Sequence, residues 1–189
     1  TKGRIKSLFN MMYKYAVAHD IVDKDYASVM FANGNPIKRE RTKEPVPFTD
    51  EEIQQLWDSK DLIPFADMVL IGIYSGWRPQ ELSILQITDI DLEAGTMKGG
   101  LKTDAGKNRI VPIHPVIKPL IENRMKEAAT LQSGYLFNDV NGQQGTYMTY
   151  DKYRKRFQKV MDRLKMKHRP HETRHTFITK AKACGVDEY

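Results

Sequence analysis

The stretch of residues 170–177, Pro-His-Glu-Thr-Arg-His-Thr-Phe, constrains this chain more than any other. Proline suits the first turn of a helix, so the stretch predicts a helix that begins beside Pro170. On that helix His171, Arg174 and His175 are three and four residues apart and share one face. A guanidinium and two imidazoles form a set of donors suited to an anion such as a phosphate. A solvated basic face is the alternative, because so short a motif also occurs by chance.

Positive charge is concentrated at the two ends of the chain. The net charge is +6, to which residues 1–47 contribute +4, residues 48–150 contribute −5 and residues 151–189 contribute +7. Such segregation is typical of a nucleic-acid footprint, although lysine-rich solvated helices would also produce it. No apolar run is long enough to span a membrane, and the single Cys184 provides neither a disulfide framework nor a cysteine metal cluster. These features favour a cytoplasmic, DNA-associated protein.

Turn residues, charges and prolines interrupt the apolar periodicity of the chain between residues 32 and 47. Before this predicted linker, apolar residues recur at helical spacing over residues 2–19, which predicts an amphipathic helix. After it, Thr49 and Glu52 form a capping-box pattern at the start of a new helix. The predicted organisation is a helical segment over residues 1–31, a linker over 32–47 and a second domain over 48–189.

Residues 76–82, Gly-Trp-Arg-Pro-Gln-Glu-Leu, predict a second basic site at the start of a helix. Pro79 begins the helix and Arg78 precedes it. Glu81 lies three residues after Arg78 and is placed to orient its guanidinium. A purely structural arginine–glutamate pair is the alternative.

Three short extended runs predict a small antiparallel sheet. They span residues 87–92, 96–102 and 109–113. Lys102 ends the second run beside a turn, where it could reach a ligand held by the helices; a solvated turn lysine is the alternative. Further helices are predicted over residues 115–129, over the basic stretch 149–166, and from His171 onward with Phe177 facing inward.

These pieces, in this order, resemble the tyrosine recombinase (phage integrase) family. The matching pieces are Gly76 to Leu82, Lys102 followed by Arg109-Ile110-Val111-Pro112-Ile113, and His171 to Thr176. The resemblance implies an α+β fold, mainly α, with a small three-stranded antiparallel sheet in the catalytic domain. It assigns residues 48–189 to most of that domain and residues 1–31 to the last helices of the core DNA-binding domain. Within the family, integrases of conjugative transposons and temperate phages are the most similar.

The resemblance implies site-specific cutting and rejoining of DNA without a metal ion or other cofactor. A tyrosine attacks the scissile phosphate, forms a 3′-phosphotyrosyl bond and frees a 5′-hydroxyl, and a second strand's 5′-hydroxyl reverses the step. The covalent intermediate conserves the bond energy. The implied partners are double-stranded DNA and, for the full-length protein, three further copies in a tetramer, in the cytoplasm of a bacterial host.

The resemblance also assigns roles residue by residue. Arg78 and Arg174 match the two family arginines that hold the non-bridging phosphate oxygens as negative charge builds. Lys102 matches the general acid that protonates the leaving 5′-oxygen, and His171 matches the histidine that assists proton transfer from the nucleophile. Two supporting positions are also matched, the acidic Glu81 and the structural His175.

One part of the family pattern has no match in this sequence. The family has a further histidine or tryptophan and then the tyrosine nucleophile well downstream of the second arginine. Only fifteen residues follow Arg174, and Tyr189 lies too close to it. We therefore expect no nucleophile within residues 1–189, no DNA cleavage by this stretch alone, and a monomer in the absence of the missing segment.

Three other functions are compatible with parts of the pattern. A DNA-binding regulator would explain the basic ends but not the ordered set of basic residues. A type IB topoisomerase would share the chemistry without the site specificity. A metal hydrolase could use His168, His171 and His175, although Pro170 interrupts the helical register between the first of these and the others.

Overall fold

The computed structural model describes residues 2–28, 44–101, 108–138 and 147–186. The chain divides into two compact units, residues 1–44 and residues 45–189. Most of the predicted linker lies outside the described residues, so the assignment of segments 1–31, 32–47 and 48–189 stays a prediction. In the first unit, helix α1 spans Lys2–Ala18, as the apolar periodicity predicted.

The second unit is mainly helical with one small sheet. Its elements in chain order are α2 Asp50–Ser59, α3 Ala66–Ser75, α4 Pro79–Ser83, β1 Ile90–Asp91, β2 Thr96–Gly99, β3 Arg109–Pro112, α5 Lys118–Thr130, α6 Tyr150–Leu164 and α7 Glu172–Ala183. Short 3-10 helices at Ile87–Asp89 and Pro115–Ile117 precede β1 and α5. This architecture confirms the predicted fold class.

The predicted capping box begins helix α2. The Oγ1 of Thr49 accepts a hydrogen bond from the backbone N–H of Glu52 at 3.2 Å. The carboxylate of Glu52 in turn accepts one from the backbone N–H of Thr49 at 2.9 Å. Together the two bonds satisfy donors that a helix start leaves without an intrahelical partner.

Helix α3 is the centre of the hydrophobic core. Most of its residues are apolar, and eight of its ten residues are buried. It packs against α2, α5, α6 and α7. A helix covered on all sides cannot move independently of its neighbours, so it provides a rigid support for the residues at its carboxyl end.

The three strands form one antiparallel sheet in the order β1-β2-β3. Met97 in the middle strand pairs with Ile90 on one side and Val111 on the other. The first strand is shorter than predicted. Its first residues form a 3-10 helix instead, in which the N–H groups of Asp89 and Ile90 donate to the carbonyls of Gln86 and Ile87.

None of the helices within the described ranges is both long and apolar enough to cross a membrane.

Candidate functional site

Arg78 and Glu81 form the pair that their spacing predicted. Arg78 caps α4, and its Nη1 donates to Oε1 of Glu81 at 2.9 Å. The backbone N–H of Arg78 donates to Oε2 of the same carboxylate at 3.2 Å. One third of the arginine side chain remains exposed, whereas only 2% of the glutamate side chain does. The buried carboxylate thus holds the inner side of the guanidinium, while part of the arginine side chain faces solvent.

Glu81 also accepts hydrogen bonds from a distant strand. Arg109 opens β3, and its Nη2 donates to Oε2 of Glu81 at 2.8 Å. The backbone N–H of Leu101 donates to Oε1 at 3.4 Å. Burial acts to raise the pKa of Glu81, but hydrogen bonding from Arg78 and the charge of Arg109 hold it below its ordinary value. Glu81 is therefore an ionised carboxylate shared by two arginines.

Arg109 was not predicted as a site residue. In the sequence it begins an extended run that matches the family pattern, and its partner is 28 positions away in the chain. No helical or strand periodicity connects positions so far apart. Only the docking of the sheet beside α4 brings them together.

Arg174, on α7, lies near the cluster of Arg78, Glu81 and Arg109. Its Nη1 donates to the carbonyl oxygen of Gly76, the residue that ends α3. Gly76 has a positive φ of 63°, and a Cβ built there would lie 2.4 Å from the ring of Phe177. Phe177 was predicted to face the core, which is wrong: its ring covers Gly76 and is 36% exposed. The glycine allows α7 to approach the end of α3 closely enough for the Arg174 hydrogen bond.

Three guanidinium groups converge beside one carboxylate. Burial lowers the pKa of Arg174, and so do the positive charges of Arg109 and Arg78, whereas Glu81 partly compensates. Three guanidinium groups and one carboxylate give these four groups a net charge of +2. A bound anion would relieve the repulsion, and the planar guanidinium forks suit phosphate oxygens.

The other predicted site residues are distributed as follows. His171 precedes the first residue of α7 and is exposed, one turn before Arg174. His175 follows Arg174 and is also exposed. Lys102 and Tyr189 lie outside the described residues. The structure therefore brings Arg78, Glu81 and Arg174 together, with His171 on the adjoining turn.

His168, the third histidine of the metal-site alternative, is buried in a different setting. Its Nδ1 lies 3.1 Å from the carboxylate of Glu172, and its Nε2 lies 3.0 Å from that of Glu52. Its ring stacks on Phe48 with 3.8 Å between centroids. Within the described residues, no group of three or more His, Cys, Asp or Glu side chains is arranged to hold a metal ion. The network instead joins the start of α2 to the start of α7.

Replacing His168 with alanine is expected to destabilise the protein by about 2–4 kcal/mol, since two carboxylates lose a shared partner inside the fold. His168→Gln can still bond one carboxylate and should lose less. Urea unfolding of the two variants beside wild type measures both values. Equal stability of His168→Ala and wild type would show that the network does not hold the two helices together.

The sequence matches the phage integrase family over residues 47–188. Tyrosine recombinase XerA of Pyrococcus furiosus is 30% identical over 147 residues, which cover 76% of this chain and 50% of XerA. The IntQ protein of Escherichia coli K12 is 28% identical over 203 aligned positions, covering 88% of this chain and 50% of IntQ. The chain therefore spans about half the length of these curated relatives.

Solved structures share the fold. The Tn1549 transposon integrase, solved with circular intermediate DNA, superposes with a TM-score of 0.77 at 18% identity, over 98% of this chain and 67% of that one. The crystal structure of XerA recombinase gives 0.65 at 21% identity, over 86% and 59% respectively. With the family match across most of the second unit, these likenesses show that the chain belongs to the phage integrase family, the tyrosine recombinases.

Proposed function

We propose that this chain is part of a site-specific DNA recombinase that cuts and rejoins duplex DNA through a 3′-phosphotyrosyl intermediate. The observation that carries the proposal is the clustering of Arg78, Arg109 and Arg174 beside the carboxylate of Glu81, which Arg78 and Arg109 share. This cluster has more positive charge than its acidic partner balances. The scissile phosphate of DNA is an anion of suitable charge and geometry for it.

Arg78 and Arg174 act as the phosphate clamp in this proposal. Each guanidinium is anchored from behind, Arg78 by Glu81 and Arg174 by the carbonyl of Gly76. The N–H groups that do not make these two bonds then hold the two non-bridging oxygens. Because the groups are anchored before DNA binds, they can stabilise the charge that builds in the transition state with little reorganisation.

The proton transfers are assigned to two further residues. His171, at the start of α7, assists removal of the proton from the attacking tyrosine. Lys102 is the general acid that protonates the leaving 5′-oxygen. His175 supports the helix that carries Arg174. The 5′-hydroxyl of a second strand then attacks the phosphotyrosine and re-forms a phosphodiester, so the reaction requires no nucleotide cofactor.

The attacking tyrosine is proposed to lie in a part of the protein outside residues 1–189. Residues 1–189 alone then bind DNA without forming the covalent bond. The partner is duplex DNA held by a tetramer of the whole protein in a bacterial cytoplasm. The Tn1549 transposon integrase structure, which contains circular intermediate DNA, supports the choice of partner. Affinity is expected to fall steeply with salt, because phosphate contacts supply most of it.

A nicked suicide substrate tests the proposal, in which the DNA carries the end of the mobile element that the recombinase is proposed to move. The whole gene product that contains this chain and residues 1–189 alone are incubated with it separately and run on a denaturing gel. We expect a covalent protein–DNA adduct from the first and none from the second. No adduct from the whole gene product would favour a DNA-binding regulator. Relaxation of supercoiled DNA without strand exchange would favour a topoisomerase.

An adduct from residues 1–189 alone would contradict the placement of the nucleophile. Tyr189→Phe would then show whether Tyr189 is the attacking residue. Metal analysis of the purified protein decides the metal hydrolase alternative.

A further inference from the structure

We propose that Arg109 is a positioning residue, which fixes the carboxylate of Glu81 and through it the guanidinium of Arg78. The inference rests on the proposed recombinase function and adds a residue to the site. Arg109 donates to Oε2 of Glu81 at 2.8 Å, while Arg78 donates to Oε1 at 2.9 Å. Each oxygen of the carboxylate thus accepts a hydrogen bond from a different guanidinium group. Oε2 also accepts one from the backbone N–H of Arg78 and Oε1 one from that of Leu101, so the carboxylate cannot rotate without breaking the bond from Arg109.

Arg109 is itself held by the aromatic ring beside Arg78. Its guanidinium carbon lies 4.3 Å from the ring centroid of Trp77, in a cation–π arrangement. Trp77 is 1% exposed, so the ring is a fixed surface. The planar guanidinium can stack on the ring and still direct its edge at Glu81, which an ammonium group cannot do in the same way.

The sheet reaches Trp77 because Gly99 has no side chain. Gly99 in β2 pairs with Arg109 in β3. A Cβ built on Gly99 would lie 3.1 Å from Cη2 of Trp77, closer than an ordinary van der Waals contact. The missing side chain lets the end of β2 lie against the ring, and the register then places Arg109 over the same ring.

Arg109 is placed to act through Glu81 rather than on the DNA phosphate itself. Its side chain is 21% exposed, less than the 33% of Arg78. Its Nε is buried and has no hydrogen-bond partner among the described residues, so that N–H does not face an incoming ligand. Its Nη2 is occupied by Glu81. The outward donors of the cluster therefore come mainly from Arg78 and Arg174.

The test is single-turnover adduct formation by the whole gene product on the suicide substrate. Arg109→Ala is expected to lower the saturating rate by about 10- to 100-fold, because small misplacements of catalytic groups have effects of this size. The Kd for DNA should stay within about 3-fold of wild type, and the salt dependence of binding should be unchanged. Arg109→Lys keeps the charge and should recover little of the rate.

A double-mutant cycle tests whether Arg109 acts through Glu81. Glu81→Gln and Arg109→Ala should each slow the reaction, and the double variant should be no slower than the slower single variant, because both remove the same support. Lys126→Ala, which removes an exposed positive charge on α5 outside the site, is the matched control and should react at the wild-type rate.

The outcomes separate the two proposals. If wild type forms no adduct, the recombinase proposal fails. If wild type reacts and folded Arg109→Ala reacts within about 3-fold of it, only the positioning role fails. For Arg109→Ala, the dependence of log affinity on log salt concentration could become shallower by about one while the saturating rate stays unchanged. That result would make Arg109 a phosphate ligand and overturn its positioning role. If Arg109→Ala does not fold, a wild-type rate for folded Arg109→Lys overturns the proposal, and a 10-fold loss supports it.

Discussion

Replacing Arg174 with alanine is expected to lower the rate of phosphotyrosyl adduct formation by about 10³-fold, since it removes a preorganised donor from the developing charge. The guanidinium is held by the carbonyl of Gly76 and lies near Arg78 and Arg109. Arg174→Lys should restore little, because an ammonium group cannot present two parallel N–H donors. Single-turnover gels with the whole gene product measure both rates.

The stability of Arg174→Ala should remain close to that of wild type. Burial and the charges of Arg109 and Arg78 lower the pKa of Arg174, which means that the fold disfavours its charged form. Relief of this repulsion should offset the lost hydrogen bond to Gly76. Arg169→Ala, an exposed arginine just before α7, is the control and should change the rate by less than about 3-fold. If folded Arg174→Ala keeps more than a tenth of the wild-type rate, the proposed role of Arg174 in holding the phosphate is wrong.

Replacing Gly76 with alanine is expected to destabilise the protein by about 2–4 kcal/mol, from backbone strain and overpacking together. The φ of +63° disfavours any side chain, and the new Cβ would lie 2.4 Å from the ring of Phe177. The ring must shift, and with it the turn of α7 that carries Arg174. Adduct formation should therefore fall as well. Urea unfolding and the suicide-substrate gel measure the two effects.

Gly95 provides a matched control for this substitution. It has a similar φ of +66°, but a Cβ built there meets nothing within 4 Å. Gly95→Ala should therefore lose only about 1 kcal/mol from backbone strain and keep its activity. Adding Phe177→Ala to Gly76→Ala should recover part of the stability. Equal losses for the two glycine substitutions would show that the ring overlap has no role.

The elements that could be predicted from the sequence depend on residues close together in the chain. The capping-box residues Thr49 and Glu52 are three positions apart, and so are Arg78 and Glu81. The periodicity of apolar residues predicted the helices, and turn residues between extended runs predicted the sheet. Local backbone geometry decides all of these, so short spacing in the sequence is sufficient.

The environment of the site could not be predicted in this way. Arg174 meets Gly76 across 98 residues, and His168 meets Glu52 across 116. Phe177 is 36% exposed and its ring covers the buried Gly76, although its helical position suggested the core. In each case the partner is chosen by how two helices pack, which periodicity within one helix does not specify.

By itself the sequence determined the family and the fold class, because short motifs in a fixed order encode them, and it predicted Arg78 and Arg174 as the proposed phosphate ligands. Only the tertiary structure decided that one carboxylate, Glu81, serves both Arg78 and Arg109. That pairing depends on Gly99 allowing the sheet to lie against Trp77. Contacts between distant segments arise from close packing in three dimensions, and a linear pattern does not contain them.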